Sequence, residues 1–227
     1  MTDELQAGKV ARPLVAGGRH IESGHARRRA MPRGFLAAKR ILDIVIAVIA
    51  LPFVCVIGLV LLIANPIWNR GPLIFSQTRM GRRCKPFKAY KFRTMRVSGD
   101  VVRGPNDPLE TDRITSLGRF LRRTRIDELP QFVNVLLGEM SFIGPRPDYW
   151  DHAVHYMSTI PGYRQRHAMR PGITGLAQVD NGYAEGVDAT LVKTRHDLRY
   201  IDTACFATDW YVFRKTIVVV FTGFGAR

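Results

Sequence analysis

Residues 41–64 constrain this chain more than any other stretch. Asp43 is the only charge in about 24 residues, which as one helix would measure roughly 36 Å against a hydrocarbon core of about 30 Å. Length alone reads as a membrane span, but three features argue for another path. Pro52 stands near the middle, where it lacks an N–H for the Val48 carbonyl and crowds it, so a break or sharp kink is expected. Both flanks are basic: Arg33, Lys39 and Arg40 precede the run, and a series of lysines and arginines between residues 70 and 96 follows it before the next acid, Asp100. Cytoplasmic loops carry such an excess, so both ends belong on the cytoplasmic side. Asp43 itself lies in the first turn, within helical reach of Lys39 and Arg40. A helix that enters one leaflet, turns at Pro52 and returns to the same face meets all three conditions. A straight span kinked at Pro52 is the alternative.

Composition bounds the partners. In 227 residues, 34 lysines and arginines against 19 acids give a net charge of +15, which suits nucleic acid, acidic lipid headgroups or diphosphates. The three cysteines, Cys55, Cys84 and Cys205, have no paired spacing and point to a reducing compartment. We divide the chain into a disordered basic arm over 1–38, a re-entrant membrane helix over 39–66 and a cytoplasmic catalytic domain over 67–227.

The expected fold is α+β and mainly helical, with a small β-hairpin and amphipathic helices at the membrane face. Residues 71–75 and 86–92 read as the two strands, with a turn at 79–83. Lys91 and Arg93 flank Phe92 and share the opposite face, where they could meet phosphate. A loop is expected over 97–110 and a basic amphipathic helix over 114–124, with Ile114, Leu117, Phe120 and Leu121 on its apolar side. Helices at 187–201 and 209–221 close the chain, the last carrying Trp210, Phe213, Ile217, Val220 and Phe221 as a stripe for core or interface packing.

Between residues 124 and 149 stand the adjacent acids Asp127 and Glu128. Asp127 as the N-cap of a helix ended by Gly138 would account for one of them. It leaves Arg122, Arg123 and Arg125 beside the pair, and a stiff run, Gly144, Pro145, Arg146 and Pro147, that would hold one guanidinium as a fork for phosphate oxygens. Arg170 leads into a loop with glycines at 172 and 175 whose amides could cradle an anion. Carboxylates for a divalent cation beside arginines for phosphate describe phosphoryl transfer.

These strings, in order, resemble the monotopic phosphoglycosyl transferases, the bacterial sugar transferases that begin exopolysaccharide and glycan assembly. The matching pieces are KRILD before an interrupted apolar run, GPLIFSQTRMG, KFRTM, DRITSLG, DELPQFVNVLLGEMS, GPRP and RPGITGLAQV, covering the chain from Lys39 onward. The resemblance implies transfer of sugar 1-phosphate from a UDP-sugar to undecaprenyl phosphate with release of UMP, at the cytoplasmic face of the bacterial inner membrane among anionic lipids. It implies Asp127 as nucleophile, Glu128 beside it, and magnesium near both. Lys91, Arg93, Arg125, Arg146 and Arg170 are the residues that would meet substrate phosphates. Leu51 stands where the family often has serine, and QVDNGY replaces its more usual QVNGR. Two other readings compete, a membrane-tethered nucleic-acid-binding protein and a scaffold of a polysaccharide assembly complex. Neither a nucleic-acid reader nor a stacking platform is visible, and the intact acid pair counts against a scaffold. Homo-oligomerisation is compatible with the sequence, which does not choose the sugar.

Overall fold

The structure, a computed structural model, describes residues 31–97, 104, 107, 110–181 and 186–222, so the expectations for 1–30 and most of the 97–110 loop lie outside the described residues. Helix α1 runs Arg33–Trp68, 36 residues or roughly 54 Å of helix. It starts earlier and ends later than the expected 39–66, taking its first turn from the stretch assigned to the arm. Helical backbone continues through Pro52 and Pro66, so Pro52 does not divide α1 into two elements. A proline keeps helical φ while removing one donor, which bends a helix without ending it.

One stripe of α1 is covered along its length. Phe35, Lys39, Asp43 and Ala47 are buried at intervals of one turn, and Leu61 and Asn65 continue the stripe beyond Pro52. Ile41, Val48, Ile49, Phe53, Val56, Val60 and Ile63 face outward and are more than half exposed. Phe35 meets the Phe206 ring edge-on, Ala47 packs with Phe87, Phe132 and Val135, and Leu61 packs with Phe92 and Leu121. At the far end the Asn65 amide donates to Gly71 O at 2.6 Å and the Asn69 amide to Arg93 O at 2.5 Å. Both ends of the apolar helix are therefore tied to the same domain.

Strands β1 (Ile74–Met80) and β2 (Pro86–Phe92) form an antiparallel hairpin with Ile74 opposite Phe92 and Met80 opposite Pro86. The first strand lies later than the expected 71–75: it starts at Ile74 and pairs on through Ser76, Gln77 and Thr78 to Met80, which is anchored in the core. Its turn takes left-handed backbone at Arg83 and Cys84, both φ 57°. Helix α2 (Ser116–Arg123) is capped by Thr115, whose hydroxyl accepts from Gly118 N at 2.9 Å. The helix starts later than the expected 114, leaving Ile114 before it; Ile114 and Leu121 are buried, whereas Phe120 is 57% exposed. Helix α3 (Gln131–Leu137) ends at Gly138 with φ 82°, the expected left-handed stop.

Two three-residue strands, β3 (Ser141–Ile143) and β4 (Gly172–Thr174), pair in parallel, with helix α4 (Trp150–Thr159) between them in the chain. Their approach depends on glycine: a Cβ on Gly172 would lie 2.1 Å from Gly144 N. Helices α5 (Leu176–Asn181), α6 (Gly186–Thr203) and α7 (Phe206–Thr222) complete the fold. The α7 stripe is core only in part: Phe213 packs against the cluster around buried Val212, whereas Trp210 is 60% and Phe221 87% exposed and the described residues do not cover them.

Candidate active site

Asp127 and Glu128 sit in a 3-10 turn, Ile126–Glu128, and both are buried. Asp127 is not a helix N-cap; Pro130 precedes α3, and the turn is entered through Arg125 in left-handed conformation, φ 60°. The reason is local. Pro130 has φ preset for the helix start, so the acids are left on the tight turn before it.

Around the turn three elements converge. From β2, Lys91 Nζ lies 2.7 Å from Glu128 Oε1 and 3.6 Å from Asp127 Oδ2. From the loop after β3, Arg146 donates Nη1 to Glu128 Oε2 at 3.1 Å and Nη2 to Oε1, while Nη1 also reaches Ile173 O at 3.2 Å. Burial pushes the Glu128 carboxyl up, but Arg146 and Lys91 overcome it and hold the group well below the usual carboxylate range. At Asp127 burial dominates and leaves the carboxyl above its ordinary value, with Lys91 pulling it down and ionised Glu128 pushing it up. Asp127 Oδ1 is buried and accepts no hydrogen bond among the described residues.

The arginine fork is thus turned onto Glu128 rather than left free for phosphate. Its own position is fixed by backbone grips that sequence reasoning missed. Arg166, buried between two acids, donates Nε to Asp197 at 2.8 Å, Nη1 to Asp148 and Nη2 to Arg146 O at 2.6 Å. Arg79 donates Nη1 to Pro147 O at 2.6 Å, and Gly144 N bonds Thr174 O at 2.8 Å. The acid following GPRP, Asp148, was the available signal, since a carboxylate there needs a cationic partner.

Of the remaining phosphate candidates, Arg125 adjoins the pair and its charge helps hold Glu128 down. Arg93 is turned away, donating Nε to Pro72 O at 2.7 Å with its guanidinium 5.7 Å from the Phe75 ring. Strand pairing ends at Phe92, so the shared face of Lys91 and Arg93 is not continued. Arg170 instead donates Nε to Gly138 O at 2.8 Å, at the base of α1. The membrane-side residues pair differently from the expected helical trio: Lys39 binds Asp209 at 2.7 Å, Arg40 donates to Val135 O and Leu136 O, and Asp43 accepts from Ser141 Oγ and Phe142 N. Each reaches across to the domain because α7, the end of α3 and β3 lie against the buried stripe.

A divalent cation finds a restricted donor set here. Among the described residues no cluster of three or more metal-ligating side chains occurs. Asp127 Oδ1 is a free oxygen, whereas both Glu128 oxygens are engaged. That fits magnesium, which is commonly held by one or two carboxylates with substrate phosphates and water completing its shell.

A family profile described as bacterial sugar transferase matches residues 35–223. UDP-N-acetylgalactosamine-undecaprenyl-phosphate N-acetylgalactosaminephosphotransferase of Aeromonas hydrophila is 42% identical over 190 residues, 83% of this chain and 45% of that protein. UDP-glucose:undecaprenyl-phosphate glucose-1-phosphate transferase of Escherichia coli (strain K12) is 41% identical over 196 residues, covering 82% and 40%. The exopolysaccharide production protein PSS of Rhizobium leguminosarum bv. phaseoli is 40% identical over 201 residues, covering 81% and 94%. The chain therefore spans less than half of the first two relatives and nearly all of the third.

Proposed function

The chain belongs to the bacterial sugar transferase family, and from that premise we propose that it moves sugar 1-phosphate from a UDP-sugar to undecaprenyl phosphate, releasing UMP, to begin exopolysaccharide or glycan synthesis. The observation that carries the reading is the split of the acid pair: Glu128 is locked to Lys91 and Arg146, while Asp127 keeps one buried oxygen without a partner among the described residues.

In the proposed first step a carboxylate oxygen of Asp127 attacks the phosphorus bearing the sugar, an O–P bond forms, and the bond from that phosphorus to the UMP oxygen breaks. In the second step an oxygen of undecaprenyl phosphate attacks the same phosphorus and the aspartyl–phosphorus bond breaks, returning Asp127 as carboxylate. Splitting the transfer lets a soluble and a lipid-borne anion use the site in turn. Lys91 and Arg125 supply fixed positive charge beside the incoming diphosphate, and Arg146 keeps Glu128 from rotating toward the nucleophile. Magnesium would be held by Asp127, with Glu128 kept beside it by Arg146, and would offset charge on the diphosphate.

The membrane arrangement follows from α1. Both ends bind one domain and the outward face is apolar, which supports a re-entrant helix with the domain on the cytoplasmic face of the bacterial inner membrane among anionic lipids. The family match lends no support to the nucleic-acid and scaffold readings. Relatives named for glucose and for N-acetylgalactosamine are equally similar, so a donor panel is needed.

The test is UMP release from UDP-glucose, UDP-galactose and their acetamido analogues with undecaprenyl phosphate, by full-length chain in nanodiscs. Donor labelled in its β-phosphate should tag the parent without acceptor and lose the tag when acceptor is added. Asp127→Asn should do neither. Label retained in Asp127→Asn, or label that acceptor cannot chase, would remove Asp127 as nucleophile.

A further inference from the structure

At the base of α1 lies a cavity of about 60 Å³ whose lining includes Lys39, Arg40, Arg82 and Arg170 against one carboxylate, Asp43. It shares no residue with the acid pair or with Lys91 and Arg146. Asp43 is turned to β3, where its Oδ1 accepts from Ser141 and Phe142, and Lys39 is matched by Asp209. The three arginines are held by carbonyls instead: Arg40 by Val135 and Leu136, Arg170 by Gly138, and Arg82 by Ala168 at 3.3 Å.

A carbonyl dipole fixes a guanidinium without neutralising it, and each of these keeps most of its five N–H donors. The mutual repulsion is felt. Burial first, then the charges of Arg40 and Arg82, draw Arg170 below the usual arginine range. Like charges gathered around one cavity are unfavourable until an anion joins them. The lining also carries Leu36 and Met169, and the exposed residues Ile41 and Leu42 begin directly beyond Arg40. A ligand with an anionic head and an apolar tail matches both halves; inorganic phosphate matches only the cations.

We propose that this cavity binds the phosphate of an anionic membrane lipid, with Arg82 and Arg170 as its charge-assisted donors and Arg40 completing the ring of charge. The proposal rests on the membrane reading of α1 but not on the transfer chemistry, because binding is read with no sugar donor or polyprenyl acceptor present.

Full-length chain in detergent is loaded with phosphatidylglycerol or phosphatidylcholine, and the lipid retained is counted by native mass spectrometry. Phosphatidylglycerol should be preferred, and its affinity should fall about tenfold for Arg82→Gln and again for Arg170→Gln, the worth of one hydrogen bond to a charged group. Arg82→Lys should recover part of the loss, since it keeps the charge without the fork. Arg82 is exposed, so its variants keep the parent fold, which thermal unfolding verifies. Inorganic phosphate forms the second arm. If it binds as tightly as the lipid and falls in the same variants, the ligand is free phosphate and the lipid assignment is overturned. Equal retention of phosphatidylglycerol by parent and Arg82→Gln overturns the site altogether.

Discussion

Arg146 holds both oxygens of Glu128, Nη1 to Oε2 at 3.1 Å and Nη2 to Oε1, and both side chains are buried. The grip makes Glu128 the fixed, ionised member of the acid pair. It also keeps a full negative charge beside Asp127, so the free carboxyl stays above its ordinary value, chiefly through burial and partly through that neighbour.

Asp127→Asn should stabilise the fold at neutral pH while abolishing turnover. An acid with a raised folded pKa contributes most below its unfolded value, and that contribution is lost as pH rises to the folded value. That contribution is being lost as pH rises past the unfolded value, and asparagine removes the cost of ionising the buried group. The gain should be on the order of 1 kcal/mol and should vanish in acid, which thermal unfolding against pH measures. A less stable variant at pH 7 would contradict it.

Arg146→Lys should lower the turnover number by at least about tenfold in a folded protein, because a lysine cannot meet both Glu128 oxygens at once. Steady-state UMP release reads the outcome. Turnover at the parent rate would leave Arg146 a structural link only.

Arg166→Gln should be costly in a different way. It leaves Asp197 and Asp148 without their shared cation and removes the donor on Arg146 O. Breaking a buried pair costs about 3–5 kcal/mol. Denaturant unfolding should show that loss, and residual folded enzyme should turn over more slowly than Asn134→Ala, which loosens α3 from β2 without touching the Arg146 loop.

Cysteines placed at Arg33 and Arg83, with Cys55, Cys84 and Cys205 replaced by serine, should both resist a membrane-impermeant thiol reagent in intact cells and both react after the inner membrane is permeabilised. Reaction of only one in intact cells would restore a straight span.

Much of the site was legible because its chemistry is local. The acid pair, the rigid run around Arg146, Lys91 on the second strand and Gly138 as a helix stop all declare themselves within a few residues. Arg93 and Arg170 were misplaced because charge and proximity in sequence do not say which way a chain turns after Phe92 or Met169. The pairing of β3 with β4 was invisible for a stronger reason: each is three residues long, and their contact depends on glycines at 144 and 172 closing from different parts of the chain. Arg166 belongs to the same class, since Asp148 and Asp197 become its partners only once the helices have packed.

The tethering of α1 sets an order of events during synthesis. Helix α1 is made before the elements it packs against, so its inner stripe must wait for them. Ala47 needs Phe87, Phe132 and Val135, and Lys39 needs Asp209, a residue made 170 positions later. On the proposed membrane reading, lipid covers the outward face of α1 before those partners exist, and the domain then closes onto a helix already moored. Helix α7, made after the other described helices, completes the packing beside the start of α1.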